Sequence, residues 1–143
     1  MKERPDHHDA ELVLRVYELR RDAVMRQSRA EILGNFWPRT FEEVMAVTKA
    51  EHPLNAPFRQ VSSYWEMVYG MARHGIVHAD YFLESNGEGL VLYARVAPHV
   101  ARYRAEHSAT AFRNAEWVAT ETETGRRLFE IFSARVKKTL EAR

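Results

Sequence analysis

His74 and His78 stand four residues apart in "RHGIVHAD", with Asp80 just after them. Imidazoles and a carboxylate at that spacing could ligate a metal ion or relay a proton. An i, i+4 imidazole pair shares an ion only across an unbroken helix, and Gly75 between them reads as a helix stop. The stretch is therefore read first as punctuation. Arg73 and His74 place positive charge in a last helical turn, where it complements the dipole, and Ile76 supplies the apolar contact that usually accompanies a glycine stop. His99, Tyr103 and His107 fall at i, i+4 and i+8 and would align on an intact helix. Zinc normally requires three good ligands and prefers imidazole or carboxylate to phenol, so this trio reads as a solvent-facing stripe. His74, His78, Asp80, His99 and His107 are the metal candidates of the chain, and no metal or other cofactor is expected.

A second chemistry lies in carboxylates at the margins of apolar stripes. Glu66 follows the stripe residue Trp65, and Glu116 sits between Ala115 and Trp117. A lone buried charge costs several kcal/mol, so such groups are rarely left unpaired. Arg73, Arg102 and Arg104 are the natural partners, and at least one is expected to bond Glu66 or Glu116 across helices. Trp65, Glu66, Arg73, His74, Arg104, Glu116 and Trp117 are accordingly the candidate binding residues. Catalytic residues are not assigned: there is no cysteine, no Gly-x-Ser-x-Gly elbow, and "NGEG" lacks the Lys-Ser/Thr ending of a phosphate loop. The segment 95–113 is locally basic through Arg95, Arg102, Arg104 and Arg113, interleaved with Tyr103 and Phe112, which could give weak nucleic-acid contact. The acidic run from Glu116 to Glu123 follows at once.

Helices must position these groups. Leu12, Val16, Leu19, Ala23, Ala30 and Leu33 recur at helical spacing after a cap at Asp6 or Asp9, with Arg15, Glu18, Asp22, Arg26 and Arg29 on the outer face. Thr40 and Glu43 make a capping box for "FEEVMAVTKAE", and His52-Pro53 closes it. Asn55 is expected to cap a helix with the apolar face Phe58, Val61, Trp65, Val68 and Ala72. A short turn carries Tyr81, Phe82 and Leu83, and "ESNGEG" is a loop. Pro98 predicts a kink or fresh start in the helix that follows, Ser108 a cap, and Gly125 an interruption before the terminal helix.

Around these elements the sequence resembles a bacterial family of all-helical domains of unknown function. The resemblance is carried by Trp65-Glu66, Arg73-His74-Gly75-Ile76, Pro98 and Glu116-Trp117, over the middle of the chain. It implies a helical fold and transfers no catalytic residue. It also implies that relatives carry the domain behind a membrane-spanning helix, which this sequence does not show.

Composition bounds the rest. The length of 143 residues suits one domain, and 45% hydrophobic against 29% charged residues provides a core without disorder. A formal net charge of +1 gives no long-range field to attract a polyanion. Arginine exceeds lysine, which suits planar anion recognition or reflects a GC-rich genome. The charged opening "MKERPDHHDAELVLRVYELRRD" is neither signal peptide nor anchor, and with no cysteine the expected home is cytoplasmic. The expectation is an all-α, single-domain irregular bundle of five to seven helices over residues 1–143. Its role is read as a protein-interaction or scaffold module, with a protein partner or homodimer, in which Phe36, Trp37, Tyr64, Tyr69, Tyr81 and Phe82 line a groove or fill the core. The alternative is a small-molecule- or metal-binding protein with a site between helices.

Overall fold

The computed structural model describes residues 2–143. Among them the order is α1 His7–Arg20, α2 Ala23–Asn35, α3 Phe41–Ala46, α4 Asn55–Arg73, α5 Ala79–Ser85 and α6 Gly89–Val96. A 3-10 turn, Ala97–His99, precedes α7 Val100–Glu106, α8 Arg113–Glu121 and α9 Glu123–Ala142. No strand occurs among the described residues. The all-helical expectation holds, but the nine helices exceed the five to seven expected. The first stripe is cut in two, the Tyr81 turn grows into α5, and Pro98 restarts its helix as α7 through the 3-10 turn.

The first cut has a local cause. Asp22 turns its carboxylate onto the N–H groups of Val24 and Met25, at 3.0 and 3.2 Å, and so begins α2 afresh. The restart changes the phase: Met25, Ser28 and Ile32 are the buried residues of α2, while Val24 is exposed and the expected outer residue Arg29 turns half inward. Thr40 caps α3 as expected, accepting the Glu43 N–H at 3.1 Å, but the Glu43 carboxylate reaches back to the N–H of Arg39.

Helix α4 is the spine. It packs against α2, α5, α6 and α8, and buries Phe58, Val61, Tyr64, Trp65, Val68, Tyr69 and Ala72 along one side. Asn55 does not cap it. Its amide instead donates to the Val47 carbonyl at 2.9 Å, pinning the turn after α3 beneath the helix start. At the other end Gly75 takes φ 72°, the N–H of Ile76 bonds the Met71 carbonyl and that of Gly75 the Ala72 carbonyl, the full glycine stop. The buried apolar residue after the stop is Val77, while Ile76, expected there, is half exposed.

Four of the six aromatic residues at helix ends, Phe36, Tyr64, Tyr69 and Phe82, are buried in the core; Trp37 and Tyr81 are half-buried. Core filling thus accounts for most of that set.

Asp9 ties the first helix to the rest. Its carboxylate is fully buried, accepts the Asp6 N–H at 2.8 Å and the His78 N–H at 2.9 Å, and meets the Lys2 ammonium at 3.0 Å. Desolvation alone would raise this carboxyl, but the two N–H groups and Lys2 outweigh it and hold it at about 2. Because the folded value lies below the unfolded one, the stabilisation is complete above about pH 4 and is lost as pH falls toward about 2, a contribution on the order of 2 kcal/mol. Asp9→Ala should therefore lose about 2 kcal/mol at neutral pH, with the gap to wild type closing in acid. Urea unfolding at a series of pH values checks this; a gap that stays constant from neutral to strongly acidic pH would refute it.

Candidate functional site

The predicted carboxylates meet at the corner where α4 crosses the start of α8. Phe112 precedes α8 in the left-handed region, φ 58°, a conformation costly for an aromatic residue. It is held there by burial of its ring against Phe58, Tyr93 and Tyr103, with ring centroids 6.2 to 6.3 Å apart. No side chain of the segment itself caps α8, and Ser108, the expected cap, lies outside the helix. The cap comes from α4: Glu66 accepts the N–H groups of Asn114 and Ala115 at 3.0 and 2.8 Å, while the Asn114 amide donates to the Glu66 carbonyl at 2.9 Å. Burial pushes the Glu66 carboxyl up from its ordinary value despite both N–H bonds.

Arg104 completes the corner. Its Nε donates to the Ala111 carbonyl at 2.8 Å, and its Nη1 lies 3.2 and 3.3 Å from the two oxygens of Glu116. The expected arginine–carboxylate bond is thus Arg104–Glu116. Tyr93 donates its hydroxyl to Glu116 at 3.4 Å, and burial together with the Glu116 charge pushes that phenol up to about 12. Arg73 reaches Asn114 Oδ1 at 3.5 Å, and Arg102 pairs with Glu106 and Glu42 at the surface.

Beside this corner a cavity of about 600 Å³ opens between α4 and the α7–α8 connection, with Ser62, Ser63, Glu66, Tyr103, His107 and Ser108 in its walls. Both Ser62 and Ser63 hydroxyls back-bond to helix carbonyls at 2.6 Å, so neither is poised as a nucleophile. Of the other candidates, Trp65 lies on the buried side of α4 against Tyr64 and Tyr69, Trp117 packs on the core from α8, and His74 is exposed at the end of α4. His78 caps α5 through Nδ1, accepting the Tyr81 N–H at 3.1 Å, and Asp80 accepts the Thr124 N–H at 2.8 Å. His99 lies in the 3-10 turn before α7 and His107 just past its end, while Tyr103 between them is buried, so the expected solvent-facing stripe does not form. Among the described residues no three His, Cys, Asp or Glu side chains gather to hold a metal ion. Within segment 95–113, Arg95 is buried, and Arg102 and Arg104 are in ion pairs.

Glu66→Ala should lose about 1–2 kcal/mol, the usual cost of a lost helix cap, and should loosen the α8 start first. Hydrogen exchange at Asn114 and Ala115 measures it: faster exchange is expected there, and unchanged protection would refute the cross-helix cap.

Sequence reasoning missed a second assembly. At the elbow between α1 and α2, Tyr17, Arg20, Arg21, Arg26 and Arg29 surround a cavity of about 360 Å³. The arginine-rich "LRRDAVMRQSR" was the available signal, but the uninterrupted stripe placed Arg26 and Arg29 on a plain outer face and gave Arg20 and Arg21 no role. Among the described residues, four of the seven large exposed apolar side chains, Leu14, Tyr17, Leu19 and Val24, also fall between residues 14 and 24.

A family model described as Domain of unknown function (DUF4760) matches residues 5–122, from just before α1 to the Thr122 cap of α9. No curated protein matches the chain, and no solved structure matches it.

Proposed function

The chain belongs to the DUF4760 family, and from that premise we propose that it is a protein-interaction module whose docking face is the outer side of α1 and the start of α2. One observation carries the reading: Leu14 is 62% exposed, Tyr17 51% and Val24 64%, a concentration of apolar surface that the core does not use. Apolar patches rimmed by charge commonly mark contacts with another protein. The partly buried network behind this face supports it as a rigid platform. The Tyr64 hydroxyl donates to the Val16 carbonyl at 2.8 Å, and Arg29 forks onto Glu88 at 2.7 and 2.9 Å. No helix of the described residues is long and apolar enough to cross a membrane.

A photo-crosslinking residue at position 14, expressed in the native cell, tests the reading against the same residue at the exposed position 141. A discrete adduct specific to position 14 is expected, with a second copy of the chain or another protein in it. Adducts that are absent, or equal at the two positions, would end it.

The cavity beside Glu66 favours a second reading, a small polar ligand held between helices. Its walls combine a half-buried carboxyl, an imidazole and a phenol. Native mass spectrometry of gently purified protein would show that ligand as added mass, and a bare chain that also fails to take up polar metabolites would discard it.

A further inference from the structure

We propose that the elbow between α1 and α2 is a binding pocket for a group carrying two or more phosphates. Four guanidiniums, those of Arg20, Arg21, Arg26 and Arg29, line one cavity. Bringing like charges together is unfavourable unless something offsets them. Among the described residues the only carboxylate bonded to any of the four is Glu88, on Arg29. Four positive charges less one leave three in the pocket. A phosphate monoester brings about two negative charges at neutral pH, so the excess matches a group with two phosphates better than a single one.

The four arginines divide into two that are fixed and two that are available. Arg20 donates to Asn86 Oδ1, lies 5.4 Å above the Trp65 ring and 5.7 Å from that of Tyr17. Arg29 is clamped by both Glu88 oxygens and by the Arg20 carbonyl at 3.5 Å. These anchors give the pocket a preorganised floor, which lowers the ordering cost of binding. Arg21 and Arg26 are exposed and have no carboxylate partner among the described residues; Arg21 rests 5.8 Å from the Tyr17 ring. They can close over an anion with the N–H edges of their planar forks, which make no side-chain hydrogen bond among the described residues. Asp22 does not line this cavity: its carboxylate bonds the N–H groups that begin α2 and lines the neighbouring cavity with Arg15 and Glu18.

This inference goes beyond the docking reading and does not depend on it: Tyr17 belongs to both surfaces, but the pocket is tested on the free chain, without a protein partner. The phosphates could belong to a soluble diphosphate or to a multiply phosphorylated lipid headgroup. Isothermal titration calorimetry of the full chain with inorganic pyrophosphate, at low and constant ionic strength, is the first arm. The second is co-sedimentation with phosphatidylcholine vesicles, with and without a bisphosphorylated inositol lipid. The test variant is Arg21→Ala/Arg26→Ala, which breaks no bond within the fold, and Arg15→Ala is the control of equal charge type outside the pocket. Saturable binding of pyrophosphate, weakened about ten-fold or more in the double variant and little changed in Arg15→Ala, is the expected result. Vesicle binding that needs the phosphorylated lipid and the same two arginines, without affinity for pyrophosphate, assigns the pocket to the lipid source. Binding in neither arm, or equal loss in Arg15→Ala and the double variant, overturns the proposal.

Discussion

Arg95→Leu should destabilise the protein by about 3 kcal/mol, although it places an aliphatic side chain in an apolar core. Arg95 is buried, and its guanidinium closes the end of α2: Nη1 donates to the carbonyls of Ile32 and Phe36 at 2.8 and 2.9 Å, and Nη2 to that of Leu33 at 3.0 Å. Last-turn carbonyls of a helix have no intrahelical donor, and the negative end of its dipole adds to their demand for a cation. The Trp37 ring lies 3.7 Å from the guanidinium on the other side. Burial, and then the nearby charge of Arg143, pulls Arg95 down to about 10, so the group still carries its charge at neutral pH.

Leucine would relieve the desolvation of that charge, but it would strand the Leu33 and Phe36 carbonyls, since only Ile32 keeps a second donor, the Phe36 N–H at 3.0 Å. A stranded buried carbonyl costs about 1–3 kcal/mol; that of Phe36 is buried and that of Leu33 partly so, and this term wins. Arg95→Lys should fall between, because an ammonium keeps the charge without the planar fork. Urea unfolding followed by circular dichroism measures both; a loss below about 1 kcal/mol for the leucine variant would contradict the capping role.

Gly125→Ala should be at least as damaging, about 3 kcal/mol or more. Helix propensity argues the other way, since alanine is favoured over glycine inside a helix by about 1 kcal/mol. Packing decides the sign. A Cβ at Gly125 would lie 1.8 Å from the Val118 carbonyl oxygen and 2.4 Å from Thr122 Oγ1. That hydroxyl is already fixed, donating to Val118 at 2.7 Å and accepting the Gly125 N–H at 2.9 Å as the cap of α9. The obstacle is backbone, so α8 and α9 must move apart, and α9 also packs on α5 and α6. Gly34→Ala is the matched control: it lies in α2 with nothing near its Cβ and should gain rather than lose stability. Thermal unfolding and limited proteolysis within α9 would read the contrast. Equal behaviour of the two variants would show that the close approach of α8 and α9 is not what requires glycine.

The sequence by itself determined what neighbours along the chain decide. The Thr40 cap, the Gly75 stop, the Pro98 restart and the apolar face of α4 each depend on residues within a turn or two, where spacing is a physical distance. The interruption expected at Gly125 falls instead at Thr122, whose hydroxyl caps α9 and leaves Gly125 inside its first turn. Even locally, competition misled it: Asp22, an outer-face residue in the continuous stripe, is an equally good cap, and it divided that stripe and rotated the register of everything up to Phe36.

Only the tertiary structure decided which polar groups meet. Glu66 caps a helix through an N–H 48 residues later, and Arg95 closes one that ended about sixty residues earlier. Neither pairing has a spacing rule, because both follow from where α4 lies against α8 and α6 against α2. The arginines of the elbow have the same origin. As a list of residues they are a solvated face; they become one pocket because α2 starts anew at Asp22 and Glu88 and Asn86, on the far side of α4 in sequence, hold two of them in place. Charged side chains are long and satisfy themselves wherever packing brings a partner, so their roles are set last, by the fold they help to hold.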